Sequence, residues 1–293
     1  MSLNEKCMLA SLDIGIPSGR KIDKDVSNKV AQEYGIDSRL ECGNFNKIII
    51  NARYLNNLQA VKRNATKVFE ELTLPWVTGQ VEFRLIPNKR YLEWSSQYRK
   101  FKSDFEKEKN FIGIEYESMI DEAKDRLRQT GGLFRRSDYP SSERFLNKVR
   151  MEHHIRPVPD SHNLDLRVAV GDEEAQRIRE EVAESMRAEL QRTNMAVYDR
   201  VYDAVAHMNS VLSNEKPKIH QTLTEKMKRL VDILPDLNLN DDENLEEIRQ
   251  EIIKELLSTT AIGLRNSESK RREVVEAGES IIKKMEKIYG TRA

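Results

Sequence analysis

Hydrophobic and polar positions alternate along this chain with two different periods, and the change of period divides it. Residues 9–16 and 81–86 alternate apolar with polar side chains, the spacing of half-buried strands; the first stops at Pro17-Ser18-Gly19. Residues 23–34 and about 52–72 carry helical spacing, closed by Gly35 and by Leu74-Pro75-Trp76. After Pro87 the pattern lengthens. Tyr91, Trp94, Tyr98, Phe101, Phe105, Ile112, Tyr116, Met119, Ala123 and Leu127 span 36 residues in ten steps, with one slot missed at Lys109, which is the period of an α-helix. The spacing predicts one helix over about 88–130, roughly 60 Å long, with Asn88 as its cap and Gly131-Gly132 as its stop.

The pattern lapses between residues 131 and 171. A short helix through Val149 is expected after Asp138-Tyr139-Pro140-Ser141, with Pro140 in its first turn. Residues 154–159 are extended by their prolines, and 164–170 alternate as a strand. A second long helix starts at Gly171-Asp172 on a stripe of Ala175, Ile178, Val182, Met186, Leu190, Val197, Val201, Val205, Met208 and Leu212. Shorter helices follow at 217–234, 243–257 and 267–289. The expected fold class is therefore mainly α, with long amphipathic helices in a bundle or coiled-coil hairpin and a small β-sheet from short N-terminal and central strands. Two parts are expected: an α+β part at 1–170 and an all-helical part at 171–293. Helices of this length with charged surfaces predict an elongated molecule that self-associates.

Composition agrees with a helical chain, since 12 glycines and 8 prolines in 293 residues leave few tight turns. The 49 basic and 49 acidic side chains cancel, but not locally. Residues 1–150 hold 27 basic and 21 acidic groups, for +6, and the remainder is −6. Such complementary halves suit contact within or between subunits. No apolar run reaches the length of a membrane span, and Glu5 and Lys6 interrupt any signal-like N-terminus, so no membrane partner is expected. Two lone cysteines, Cys7 and Cys42, point to a reducing cytoplasm, the host's if the chain is phage-encoded.

Three stretches carry candidate chemistry. In the most basic one, Arg53, Lys62, Arg63, Lys67, Arg84, Lys89, Arg90, Arg99 and Lys100 lie among Tyr54, Trp76, Phe83, Tyr91, Trp94 and Tyr98. Cations that neutralise phosphates beside rings that stack on bases would make a groove for single-stranded nucleic acid. The competing reading places Tyr91, Trp94 and Tyr98 in the core. The second stretch sets oxygen-bearing Asp236, Asn238, Asn240, Asp242, Asn244 and Glu247 at positions 1, 3, 5, 7, 9 and 12 of an EF-hand loop. Its sixth position is Asp241 instead of glycine and its eighth is Glu243 instead of an aliphatic residue, so the expectation is a helix-capping loop and no metal. In the third, His153, His154 and His162 with Asp160 are metal-ligand types without a metal-binding spacing. No nucleophile, phosphate-loop or dinucleotide motif occurs, so neither catalytic residue nor cofactor is expected.

Several short stretches, in this order, resemble a phage and bacterial family catalogued as a domain of unknown function, the 3150 family. They are Leu74-Pro75-Trp76, Ile86-Pro87, Asp138-Tyr139-Pro140-Ser141, Pro157-Val158-Pro159-Asp160, and Leu234-Pro235-Asp236-Leu237-Asn238 followed by Asp242. The resemblance covers about residues 9 to 260. It implies a helical protein often encoded near MoxR-type AAA+ ATPases, and hence an interaction or scaffold protein with an AAA+ partner, not an enzyme. It also implies that Asn238 and Asp242 belong to a structural loop.

Overall fold

The structure is a computed structural model that describes residues 3–36, 41, 43–78, 81–129, 132–159 and 172–290. It is mainly α, with ten helices, a four-stranded antiparallel sheet and a two-stranded sheet among these residues. In chain order the elements are α1 (Leu3–Lys6), β1 (Cys7–Gly15), β2 (Arg20–Ile22), α2 (Lys24–Glu33), β3 (Asn46–Ile48), α3 (Asn56–Leu72), β4 (Leu74–Thr78) and β5 (Val81–Pro87). Then come α4 (Asn88–Gln129), α5 (Ser142–Leu146), β6 (Arg150–Pro157), α6 (Asp172–Leu212), α7 (Gln221–Leu237), α8 (Glu243–Glu251), α9 (Ala261–Asn266) and α10 (Glu268–Tyr289).

The chain divides into two compact units that are discontinuous in sequence. The first comprises Met1–Ser11, Glu70–Leu92 and Ile155–Ala293; the second comprises Leu12–Phe69 and Glu93–His154. This division differs from the boundary expected at 170/171, which lies outside the described residues. Its physical reason is the sheet: Leu74, Trp76, Phe83 and Leu85 on β4 and β5 bury in one core with Val197, Val201 and Val205 of α6, so these strands pack with the C-terminal helices.

In the first unit β5 pairs with β1, from Cys7 opposite Pro87 to Ala10 opposite Arg84, and β4 pairs with β5. Thr193 on α6 donates to the Pro75 carbonyl at 2.9 Å. Arg200 donates to the carbonyls of Glu70, Glu71 and Thr73 at 2.9–3.0 Å, closing the backbone acceptors that the end of α3 leaves open. Burial pulls the Arg200 guanidinium down to about 10. Pro235 lies inside α7 instead of ending it, and α8 runs into a π-helical turn, Ile252–Leu256.

In the second unit α3 and α4 pack antiparallel. Phe69 meets Trp94 with ring centroids 4.8 Å apart, and Asn57 donates to Glu108 at 3.0 Å. Trp94, Phe105, Ile112, Tyr116, Met119, Ala123 and Leu127 are buried, seven of the ten positions of the expected stripe, and Tyr91, Tyr98 and Phe101 are half-buried. Asn88 is the first helical residue rather than the cap. At the far end Gly132, with φ of 73°, lets the Leu133 N–H reach the Leu127 carbonyl at 3.1 Å, the glycine closure common at helix C-termini. Ser141 caps α5 through Arg144 N–H, so Pro140 precedes the cap and does not occupy the first turn. Residues 154–157 are not merely extended but belong to β6. The strand expected at 164–170, Gly131 and Cys42 lie outside the described residues.

Candidate functional site

The basic and aromatic stretch is shared between the units. Arg84, Lys89 and Arg90 belong to the first and the other six cations to the second. Arg84 donates to Thr73, Arg90 to Asp236 at 2.6 Å, Lys62 to the Ile14 carbonyl at 3.2 Å, and Arg53 to Glu122 at 2.6 Å. Trp76, Phe83 and Trp94 are buried. Tyr98 lies against His153 with ring centroids 4.1 Å apart, and Tyr54 donates to Glu122. The larger rings that were to stack on bases are therefore core residues, because they fall on the inward stripes of the elements that carry them. Arg63, Arg99 and Lys100 remain exposed on α3 and α4.

The stretch 236–247 folds as a capping loop, and its side chains turn to separate partners. Asn238 brackets Asp242 by accepting from its N–H and donating to its carbonyl, both at 2.9 Å. Asp242 in turn caps α8 by accepting from the N–H groups of Asn244 and Leu245, and it also accepts from the Tyr198 hydroxyl. Burial alone would raise the Asp242 carboxyl, yet the bonds from Tyr198, Leu245 and Asn244 hold it below the ordinary aspartate range. Asp236 pairs with Arg90, Glu247 with Lys284 at 3.1 Å, and Asn240 is exposed. Asp241 does adopt the left-handed conformation of an EF-hand's sixth position, with φ of 55°. Its carboxylate, however, pairs with Lys6 at 2.8 Å, a contact that holds it below its usual value. Among the described residues no three His, Cys, Asp or Glu side chains gather as a metal-binding group. Calcium at millimolar concentration is accordingly expected to leave the melting temperature unchanged; a rise on titration would show that the loop rearranges to bind it.

This loop forms one wall of a cleft of about 510 Å³ in the first unit, the candidate functional site. Lys6, Asn88, Lys89, Pro235, Asp236 and Asp241 are among its lining residues. Its volume is that of a ligand pocket, and its walls are tied by the Lys6 and Arg90 ion pairs, while Lys89 stands 3.7 Å from Asp236 with 84% of its side chain exposed. The lysines and carboxylates of this lining pair with one another across the cleft, Lys6 with Asp241 and Lys89 with Asp236. The left-handed Asp241 at its rim is the kind of backbone strain that collects at binding sites. Sequence spacing drew attention to the loop, but nothing in it signalled that Lys6 and Lys89 would close the cleft.

The histidines do not converge. His153 and His154 are successive residues of β6 and point to opposite faces; His162 and Asp160 lie outside the described residues. His153 packs against Tyr98 and Trp94 with its Nδ1 buried and without a hydrogen-bond partner. Burial, with a smaller contribution from His154, pushes its pKa below the ordinary 6.5. The unfolded chain then binds this proton more readily than the folded one, so stability falls as the pH drops below about 6.5. His153→Phe is expected to flatten that acid limb in thermal melts, and an unchanged slope would count against this assignment.

Sequence reasoning missed the most buried charged cluster. Lys47, on the inward face of β3, reaches Asp23 at 2.8 Å, Asp138 at 2.5 Å and the Leu133 carbonyl at 3.1 Å, and Lys21 on β2 meets Asp138 from outside at 2.9 Å. Asp23 also caps α2 through Val26. No protein-family model, curated protein or solved structure matches the chain. Among the described residues no helix is long and apolar enough to cross a membrane.

Proposed function

We propose that this chain is a non-enzymatic interaction and scaffold protein of a phage-type system, which associates with copies of itself and acts with an AAA+ ATPase. One observation carries the reading. On the solvent side of α4, Phe111 and Ile114 stand one turn apart and are 48% and 81% exposed, although the same helix buries a complete apolar stripe on its other side. Two adjacent large apolar side chains on the polar face of a 42-residue helix suit a contact with another protein. The charged groups of the cleft and of the Lys47 cluster are, by contrast, matched within the chain. Sedimentation velocity over a hundredfold concentration range is expected to show reversible self-association; a single monomeric species throughout would overturn it. An AAA+ ATPase encoded beside the gene is the first heterologous partner to test, by co-sedimentation with and without nucleotide.

A second reading, single-stranded nucleic-acid binding, rests on Arg63, Arg99 and Lys100. The antiparallel packing of α3 and α4, fixed by the Phe69 to Trp94 and Asn57 to Glu108 contacts, sets these three cations at about one level. They offer phosphate contacts without the buried tryptophans as stacking platforms. This reading requires salt-sensitive binding of single-stranded DNA that R63E/R99E abolishes, whereas the scaffold reading expects none in fluorescence anisotropy.

A further inference from the structure

Phe111 and Ile114 are part of a longer exposed face of α4. Lys100, Asp104, Lys107, Phe111, Ile114, Ser118, Asp121 and Asp125 are all exposed, and the steps between them alternate four and three. That is the spacing of the seam of a two-stranded coiled coil, in which one face of a helix keeps meeting its partner every 3.5 residues. It runs for about 38 Å along the helix at 1.5 Å per residue. Its pattern is symmetric: the two apolar positions are central, two lysines and one aspartate precede them, and a serine and two aspartates follow.

We infer that α4 pairs along this seam with α4 of a second copy, antiparallel, about a two-fold axis between Phe111 and Ile114. The inference rests on the self-association proposed above and adds its surface and its direction. In this register each Phe111 meets the Ile114 of the other copy, the only antiparallel register that brings all four large apolar side chains into two adjoining layers. Lys100 faces Asp125, and Lys107 faces Ser118 with Asp121 one turn away. Asp104 meets Asp121, the one pairing of like charges, and Lys107, 3.2 Å from Asp104 in its own chain, lies beside it. A parallel pair is worse at three charged layers, since Lys100, Lys107 and Asp125 would each face themselves, and no better at Asp104 and Asp121, which meet like charges in either direction. The antiparallel arrangement is also isologous, so it closes as a dimer and leaves no open end for a filament. With only two apolar layers the dimer is weak and governed by charge, and it dissociates more readily as salt rises.

The test uses the full chain in analytical ultracentrifugation, with helicity and melting temperature as controls. Because the substituted residues are exposed, every variant is expected to fold. F111D/I114D should raise the dimer dissociation constant at least about a hundredfold, through four apolar side chains lost per dimer. K100E should weaken the dimer by about tenfold, and K100E/D125K should restore it, because the reversed charges face each other again only if the helices run antiparallel. A wild-type dimer that F111D/I114D leaves intact would overturn this face while leaving self-association standing. Failure of K100E/D125K to recover what K100E loses would overturn the antiparallel register. A wild-type chain that stays monomeric at every concentration would remove the scaffold reading and this inference together.

Discussion

Lys47→Met is expected to lower the folding free energy by about 3 kcal/mol, because it leaves the buried Asp23 carboxylate without its cation and the half-buried Asp138 with Lys21 alone. The Lys47 ammonium sits among three oxygens, from Asp23, Asp138 and Leu133, and is 3% exposed. Three donors radiating from one nitrogen match that arrangement. Lys47→Arg keeps the charge but spreads its donors over a planar fork, so it should recover only part of the loss. Asp23→Asn removes one charge and keeps an oxygen for the cap, and should cost less than Lys47→Met. Urea unfolding measures all three; a Lys47→Met loss below about 1 kcal/mol would mean that water or neighbouring cations replace the ammonium.

The same cluster predicts a pH window. Desolvation disfavours the Lys47 ammonium, but the bonds to Asp138 and Asp23 outweigh it and raise the pKa. The bond from Lys47 lowers Asp23; at Asp138 burial pushes upward, and Lys47 with Lys21 more than offsets it. Lowered carboxyls contribute stability that is present above their unfolded value and lost as the pH falls through the folded one. A raised lysine contributes stability that is present below its unfolded value and lost as the pH rises through the folded one. The cluster therefore contributes fully between the ordinary values of 3.8 and 10.5, so the stability difference between wild type and Lys47→Met should be largest within that window and shrink toward either end.

The two long helices were legible because burial along one face imposes a 3.6-residue rhythm that 42 and 41 residues repeat many times. Short elements carry no such repetition. β4 was hidden by Pro75, which reads as a breaker. In the sheet order β4-β5-β1-β6 it is an edge strand, the place where a missing N–H costs least. β2 and β3 are three residues each, and what fixes them is the long-range Lys47 cluster, invisible in local pattern. The discontinuous units are invisible in local pattern for a related reason, since strands near residue 80 join a core with helices a hundred residues later.

The sites show the same limit. Spacing found the 236–247 capping loop, yet the left-handed turn at Asp241 and the partners that claim each carboxylate, Lys6, Arg90, Tyr198 and Lys284, were not legible, the partners coming from distant segments. The basic stretch looked like a groove because cations and rings adjoin in sequence, whereas on a helix adjacent residues point about 100° apart and the rings turned inward. The outer seam of α4 escaped notice because most of its positions are polar. Only when the opposite stripe is seen to be buried does an exposed Phe111 beside Ile114 become informative.

Gly278→Leu should cost about 3 kcal/mol, through a contact between α6 and α10 that no periodicity marks. Asn209 on α6 lies flat on the Gly278 backbone, so near that a Cβ there would stand 2.1 Å from its Oδ1 and 2.6 Å from its Nδ2. Both of those amide atoms are buried without a hydrogen-bond partner among the described residues. The glycine is thus a slot for the asparagine. Gly278→Ala separates the two effects at work, because helix propensity alone would favour alanine by about 1 kcal/mol while the clash opposes it. Asn209→Ala removes both the obstruction and the unsatisfied amide, whose burial costs about 1–3 kcal/mol. The double variant N209A/G278A should therefore be at least as stable as the wild type, although G278A alone is less stable. Urea midpoints of the four proteins complete the cycle, and additive changes would show that Asn209 and Gly278 do not share this contact.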